Sequence, residues 1–403
     1  MNWKAIRFID LYLGVPLVAI LAFLKRLAPR IAVPMSQGRK RILLVKFWGI
    51  GNLFMMLPAT AALRRAYPGA SIELLTLETN RSAAVASGAF DAVTTVDTGS
   101  PGRFVRTSAT AVRSLRRADF DRVIDFEQFA RFSALCSALI GKRQTIGFNT
   151  AGQHRHLLYT DPVAYDNSKH VMRSYLSLVG RAGAQEDGEW TAALAGREPA
   201  DVVRSLGLRS HGLRVLLHVG TSDNFSERRW PTSSYAALAD LLIERHDAEI
   251  VLTGLDDERG LAADVLGQVR HRGSVRDACG RLNVVEFMDL IRQSALVVSA
   301  DTSAVHIASA LGVPVAGLYG PNTPVLYGPW GEGGMAFYRP PSCSPCITNF
   351  NAKTHTCRHH EGKGACMSHI SPEEVYRGVM RCLPGQVKSG PARLAGEAEP
   401  CGR

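Results

Sequence analysis

The chain has 403 residues, 46% of them hydrophobic and 21% charged, which is ordinary globular usage with room for two to three domains. Collagen-like, disordered and small disulfide-scaffold architectures are excluded. The formal net charge of +11 is concentrated at one end, because residues 1–46 hold nine Lys and Arg against Asp10 alone. That is a local patch. Basic and aromatic residues do not interleave beyond it, so nucleic acid is not an expected partner.

Taken in chain order, the basic end brackets an apolar run at residues 11–24, LYLGVPLVAILAFL. A perpendicular membrane span needs about 20 residues, and Gly14 and Pro16 would kink one. No A-x-A-like cleavage site follows the run. The expectation is a helix at an anionic bilayer surface, its cations held by lipid head groups; a helix packed on the protein core is the alternative. Residues 1–38 are therefore a membrane-associating segment, and the chain is expected at the cytoplasmic face of the inner membrane, peripheral or anchored by this end.

A βα alternation begins after Pro34. Residues 42–46 (ILLVK) read as a strand, Gly49-Ile50-Gly51-Asn52 as a turn and 54–66 as a helix. Strand-like runs follow at 71–77, 92–96 and 121–126, with helical patterns at about 80–88, 102–118 and 129–141. Residues 182–212 lose the pattern. A second series then opens: strand 213–219, helix 232–245, strand 249–253, helices 257–270 and 284–293, strand 296–299, helix 303–311 and strand 313–318. Strands alternating with helices imply parallel sheets covered on both faces. The expectation is an α/β chain with two doubly wound, Rossmann-like domains at 39–185 and 213–340, a linker at 186–212, and a ligand cleft at the carboxyl ends of the sheets. A Cys-rich segment and helix (341–385) and a disordered tail (386–403) complete the plan.

Three strand-to-helix turns carry candidate chemistry. Gly49 and Gly51 let the backbone turn tightly before a helix N-terminus, a place that attracts phosphate or carboxylate. The third glycine of a dinucleotide fingerprint is missing, which disfavours an oxidoreductase. In the second domain Gly220-Thr221-Ser222 follows a strand, and Arg228-Arg229-Trp230-Pro231 supplies cations for phosphate. Residues 298–306 (VSADTSAVH) join a strand to a helix; Asp301 or Thr302 caps it, its first N–H groups suit a diphosphate, and His306 lies on the face of Thr302.

Together these residues resemble the heptosyltransferases of glycosyltransferase family nine. His218-Val219-Gly220 with Arg228-x-Trp230-Pro231, Asp301-Thr302-Ser303-x-x-His306-x-Ala308 and Gly320-Pro321-Asn322-Thr323-Pro324 carry the likeness in the second domain. Val45-Lys46 through Gly51-Asn52 to Leu57-Pro58, and Val123-Ile124-Asp125 with Arg131-x-Ser133-Ala134, carry it in the first. The resemblance implies a GT-B fold whose two domains face a central cleft. It also implies an inverting, metal-independent transfer of heptose or a related sugar from a nucleotide sugar, typically ADP-heptose, to a lipopolysaccharide-core or other lipid-linked glycan. The carboxyl-terminal domain would hold the donor through Thr221, Ser222, Arg228, Asp301, Thr302, Ser303 and His306, and the amino-terminal domain would face the acceptor.

Three departures from the family pattern bear on mechanism. The first-loop acid, the usual base, is Asn52, and an amide cannot take the acceptor hydroxyl's proton. Glu127, at the carboxyl end of strand 121–126, is the candidate replacement, with Asp125 second. The glycine after Asp-Thr is Ser303. The lysine before x-Trp-Pro is Arg228, which keeps the charge and adds a bidentate fork. Loss of the first-loop acid also supports a rival reading, a catalytically silent nucleotide-sugar or glycan-binding scaffold. No cofactor is expected for catalysis. The spacing Cys343-x2-Cys346-x10-Cys357-x8-Cys366 is compatible with a structural zinc, with thiols or disulfides stapling a lid as the alternative.

Overall fold

The structure, a computed structural model, describes residues 10, 12–27, 39–185, 201–221, 223–347 and 357–381. The chain divides into two compact units, Met1–Glu189 and Trp190–Arg403.

In the first unit, β1 (Arg41–Val45), β2 (Ser71–Leu77), β3 (Ala92–Val96), β4 (Arg122–Asp125), β5 (Gln144–Asn149) and β6 (Asp161–Ala164) form one sheet in the order β3-β2-β1-β4-β5-β6, every pair parallel. β1 is buried from Ile42 to Val45, which is why ILLV runs apolar without alternation: helices cover both faces. The connecting helices carry their own start and stop signals. Ser100 accepts from Arg103 N at 3.3 Å to cap Pro101–Arg117, Pro101 opens that helix, and Arg116 and Arg117 sit at its negative end.

The second unit repeats the plan. β7 (Arg214–His218), β8 (Glu249–Thr253), β9 (Val275–Asp277), β10 (Leu296–Ala300), β11 (Val315–Tyr319) and β12 (Gly334–Tyr338) lie in the order β12-β11-β10-β7-β8-β9, again all parallel. Renumbered from its own first strand, this is the connectivity of the first sheet. One core fuses Val215, Leu217, Ile250, Leu252 and Val298 with Trp230, with Tyr235 and Leu238 from the covering helix Thr232–His246, and with Ile370, Val375 and Val379 near the end of the described chain. Asn283 and Glu286 form a reciprocal cap on the helix Val284–Arg292.

Several elements differ from the sequence expectation. The single helix at 54–66 is two, Ile50–Met55 and Leu57–Ala66; Pro58 lacks an N–H and fits only a first turn, so a new helix starts there. Pro16 likewise falls in the first turn of the helix Gly14–Leu27 and does not kink it. Strands β5, β6, β9 and β12 were not expected. The segments at 1–9, 28–38, 186–200 and 382–403, with part of the linker and the whole expected disordered tail, lie outside the described residues.

Candidate active site

In both sheets the chain reverses its direction of strand addition beside the first strand, between β1 and β4 and between β7 and β10. Loops leaving such a switch point at the carboxyl edge splay apart and open a crevice. The register fixes which residues meet there. Val45 is level with Asp125, so Lys46 and Glu127 leave neighbouring strands together. Ser299 is level with His218, so Asp301 and Gly220 do the same in the second unit.

In the first unit the carboxylate of Glu127 is the organising group. Its Oε2 accepts from Lys46 Nζ at 3.0 Å, and its Oε1 accepts from the backbone N–H of Phe47 at 2.8 Å and of Trp48 at 2.9 Å. Lys46 and Glu127 are 1% and 5% exposed, so this is a buried ion pair closed by two backbone donors. Below it, Asp125 accepts from Arg155 Nη2 at 2.9 Å, from Tyr159 OH at 2.6 Å and from the Glu127 N–H at 2.9 Å. Burial pushes the Asp125 carboxyl above its ordinary range, against the pull of Arg155 and Tyr159. Asp125 is 0% exposed and so supports the Glu127 loop from beneath.

The turn at Gly49 takes φ +87°, and a Cβ there would lie 2.8 Å from Asn52 Nδ2. Asn52 donates to Trp48 O at 3.3 Å, and its Oδ1 is buried with no hydrogen-bond partner among the described residues. Gly51 is buried inside the short helix that follows.

In the second unit Arg228, 5% exposed, donates to the backbone carbonyl of Asp301 at 2.8 Å, and its Nη1 is 3.8 Å from Asp301 Oδ2. Asn322 Nδ2 donates to the same Oδ2 at 2.7 Å. Thr302 caps the helix Ser303–Ala310 through Ala304 N and bonds Ser299 Oγ at 2.9 Å. The ring of His306 stacks on Trp330 with centroids 5.6 Å apart. Arg228 and Asp301 thus meet beside the start of the helix that Thr302 caps and Ser303 opens, while His306 lies one turn further along it against Trp330. Thr221 is buried and accepts from Arg229 Nε at 3.2 Å, whereas Ser222 lies outside the described residues.

Three participants have no role assigned from the sequence: Lys46 and Asn322 stand only as motif residues, and Glu258 is not singled out. Lys46 closes an apolar run just past β1, Asn322 lies in a Gly-Pro turn, and Glu258 ends the acidic run Asp256-Asp257-Glu258. Glu258 is 4% exposed and accepts from Leu255 N at 2.7 Å. A Cβ at Gly220 would lie 1.8 Å from its Oε2, so glycine is required for this carboxylate to reach the loop after β7. Burial raises the Glu258 carboxyl. Burial also lowers His218 to about 4, leaving its ring neutral beside Thr253 Oγ1 at 3.1 Å.

The expected zinc is not supported. Cys343, Cys346, Cys357 and Cys366 are free thiols, and among the described residues no three metal-ligating side chains converge as a metal site. Cys343 is exposed, while Cys366 is buried at a position where a Cβ on Gly320 would lie 2.8 Å from its sulfur. Burial pushes the Cys366 thiol up to about 12, with the neighbouring cysteines adding to the shift. Here Cys366 packs as a small apolar group. Ser344 Oγ, from the same segment, donates to Gly320 O, and Cys346 N donates to Pro321 O at 2.9 Å. The segment therefore lies against the loop that carries Asn322.

Two Rossmann-like units, each gathering polar side chains at its switch point, define the GT-B class of glycosyltransferase folds. The model of glycosyltransferase family 9 (heptosyltransferase) matches residues 109–356, more than half of the chain, and the chain belongs to that family. It is 24% identical over 325 residues to lipopolysaccharide heptosyltransferase 1 of Pseudomonas aeruginosa, covering 76% of this chain and 86% of the relative. Among solved structures, a family 9 glycosyl transferase from Veillonella parvula superposes with a TM-score of 0.70 at 20% identity, covering 87% of this chain and 98% of that one. The E. coli heptosyltransferase WaaC with ADP gives 0.66 at 19% identity over 85% of this chain and 99% of its own. At those identities the structures establish the shared fold.

Proposed function

We propose that this glycosyltransferase moves heptose, or a closely related sugar, from ADP-heptose or another nucleotide sugar to a lipid-linked acceptor of the lipopolysaccharide-core type at the cytoplasmic face of the inner membrane. The observation that carries the reading is the cluster of Arg228, Asp301, Asn322 and Thr302 at the start of the helix Ser303–Ala310. A helix N-terminus and a guanidinium suit the charge that builds on a departing nucleoside diphosphate. Asp301, held by Asn322, suits the donor sugar's hydroxyls. WaaC has been solved with ADP, which supports an adenosine diphosphate donor.

In this scheme the second unit holds the donor and the first faces the acceptor. Transfer is a single displacement: the acceptor oxygen bonds to the sugar's anomeric carbon as the bond to the diphosphate breaks, inverting the centre, without a metal. Glu127 takes the hydroxyl's proton. A carboxylate offers about four acceptor sites, and the three bonds to Lys46, Phe47 and Trp48 leave one on Oε2. Asn52 braces the first loop through its bond to Trp48 O. A second reading has one observation in its favour: with Asn52 in the first loop and Glu127 already committed to that loop, the chain binds nucleotide sugar and does not turn it over.

The test is calorimetric binding and transfer with a panel of nucleotide sugars and membrane lipid extract. The expected result is binding and turnover, with Arg228→Ala weakening binding on the order of tenfold to a hundredfold and Glu127→Gln abolishing turnover while binding persists. Binding without turnover by the wild type establishes the second reading, and no binding of any nucleotide sugar overturns both.

A further inference from the structure

The helix Gly14–Leu27 is attached to the first unit by one narrow face. Gly14, Val18 and Ala22 are its buried residues, and Val18 and Ala22 share a cluster with Ala134, Ala138, Leu158 and Tyr159. Gly14 is needed for the fit, since a Cβ there would lie 3.1 Å from Arg131 Cβ and Cδ. The attachment is polar at both ends. Asp10 accepts from the backbone N–H of Arg131 at 2.8 Å and of Phe132 at 3.1 Å, and from Arg131 Nη1 at 3.2 Å. Lys25 Nζ donates to Leu158 O at 3.0 Å. The helix is therefore a fixed part of the unit.

Most of the rest of its circumference is exposed and apolar, up to the cations of its last turn. Leu13, Val15, Leu17, Ile20, Phe23, Leu24 and Leu27 all face outward, Phe23 at 61% and Leu27 at 67%. Leu139 and Leu157, in the two elements that the helix packs against, extend the patch. Exposed aliphatic and aromatic side chains gathered on one element mark an interaction surface.

We propose that this face docks in the plane of an anionic bilayer, sinking to the level of the acyl chains while the helix stays parallel to the surface. Charge selects this occupant. Arg26 is exposed in the last turn and Arg116 lies close enough to Lys25 to lower its pKa, while the one acid at this end, Asp10, is tied to Arg131. Lipid phosphates complement such a rim. The same face of a second copy would offer these cations no free carboxylate, since Asp10 is tied to Arg131. The 14 described residues of the helix rise about 21 Å against a hydrocarbon core of about 30 Å, and no helix among the described residues is long and apolar enough to cross a membrane. The inference deepens the proposed function, since a lipid-linked acceptor lies in the surface to which this face would hold the first unit.

The test uses the full chain with vesicles of phosphatidylethanolamine and phosphatidylglycerol, and with phosphatidylcholine alone. Flotation is expected with the anionic vesicles, weakened by salt. The paired change Ile20→Glu and Leu24→Glu, both on the outer face, should lower partitioning on the order of a hundredfold and leave the thermal midpoint and ADP binding unchanged. Phe23→Trp gives an independent readout, as its added emission should be quenched by lipids brominated along the acyl chain. Wild type that ignores anionic vesicles, or a paired variant that floats like wild type, overturns the proposal. So does a wild-type dimer in light scattering that the paired change dissociates, which would assign the face to a second copy. Wild type that floats with anionic vesicles but binds no nucleotide sugar would instead sink the functional reading alone.

Discussion

Removing one partner of the Lys46–Glu127 pair tests whether this buried contact builds the first loop. Both groups are almost fully enclosed, at 1% and 5% exposure. Lys46→Met leaves a buried carboxylate without its counter-charge, and Glu127→Gln turns an amide N–H2 toward a buried ammonium. Breaking such a pair from one side costs about 3–5 kcal/mol. For urea unfolding with a slope of about 2–3 kcal/mol/M, the midpoint of the first unit should fall by roughly 1–2 M in either single variant. Lys46→Met combined with Glu127→Gln removes both charges while the amide oxygen still accepts from Phe47 and Trp48. Its cost should therefore fall short of the summed single costs by about 2–3 kcal/mol. Fluorescence and circular dichroism during urea titration read these midpoints. Single variants within about 0.3 M of wild type, or strictly additive costs, would refute the reasoning, because an exposed pair is worth only about 0–1 kcal/mol.

Two further outcomes follow from the second unit. His218 is held neutral by burial with its pKa lowered from 6.5 to about 4, so the unfolded chain binds its proton first as pH falls. Its contribution is complete above about pH 6.5 and is lost toward pH 4, amounting to about 3 kcal/mol. Urea midpoints of wild type and His218→Gln between pH 7 and pH 4 should thus converge, and parallel curves would refute the assignment. Gly220→Ala places a methyl 1.8 Å from Glu258 Oε2; it should cost about 1–3 kcal/mol and weaken nucleotide binding. Adding Glu258→Ala should restore part of the stability, and an unaffected Gly220→Ala protein would show that the contact is not tight.

The elements most legible in the sequence were those whose signals are local. β2, β3 and β8 coincide with the strand-like runs at 71–77, 92–96 and 249–253, because aliphatic and β-branched residues favour a pleated strand whether it is buried, as β8 is, or half-exposed, as β3 is. The helix Pro101–Arg117 announced itself through Ser100-Pro101 and its terminal arginines. β6 and β12, at sheet edges, were hidden by Pro162 and by Gly334 among short polar stretches. β5 was hidden by Gly147, which makes room for the ring of Tyr159 within 2.3 Å of where a Cβ would stand. Their strand character comes from pairing with a neighbour already in place.

The candidate site divides in the same way. The sequence by itself determined two parallel α/β units, the turns at Gly49–Asn52, Gly220–Thr221 and Asp301–Ser303, and the likeness that named the family, since each is written in contiguous residues. Only the tertiary structure decided that Glu127 meets Lys46 across 81 positions, that Asn322 holds Asp301 and that Glu258 reaches Gly220. It also decided that among the described residues the four cysteines form no group of metal-ligating side chains, and that the apolar helix offers one face to the protein and most of the rest outward. Sheet register and side-chain burial set these contacts, and both are properties of the packed chain: a charge becomes a strut, a base or a surface group according to which distant donor and how much water the fold leaves beside it.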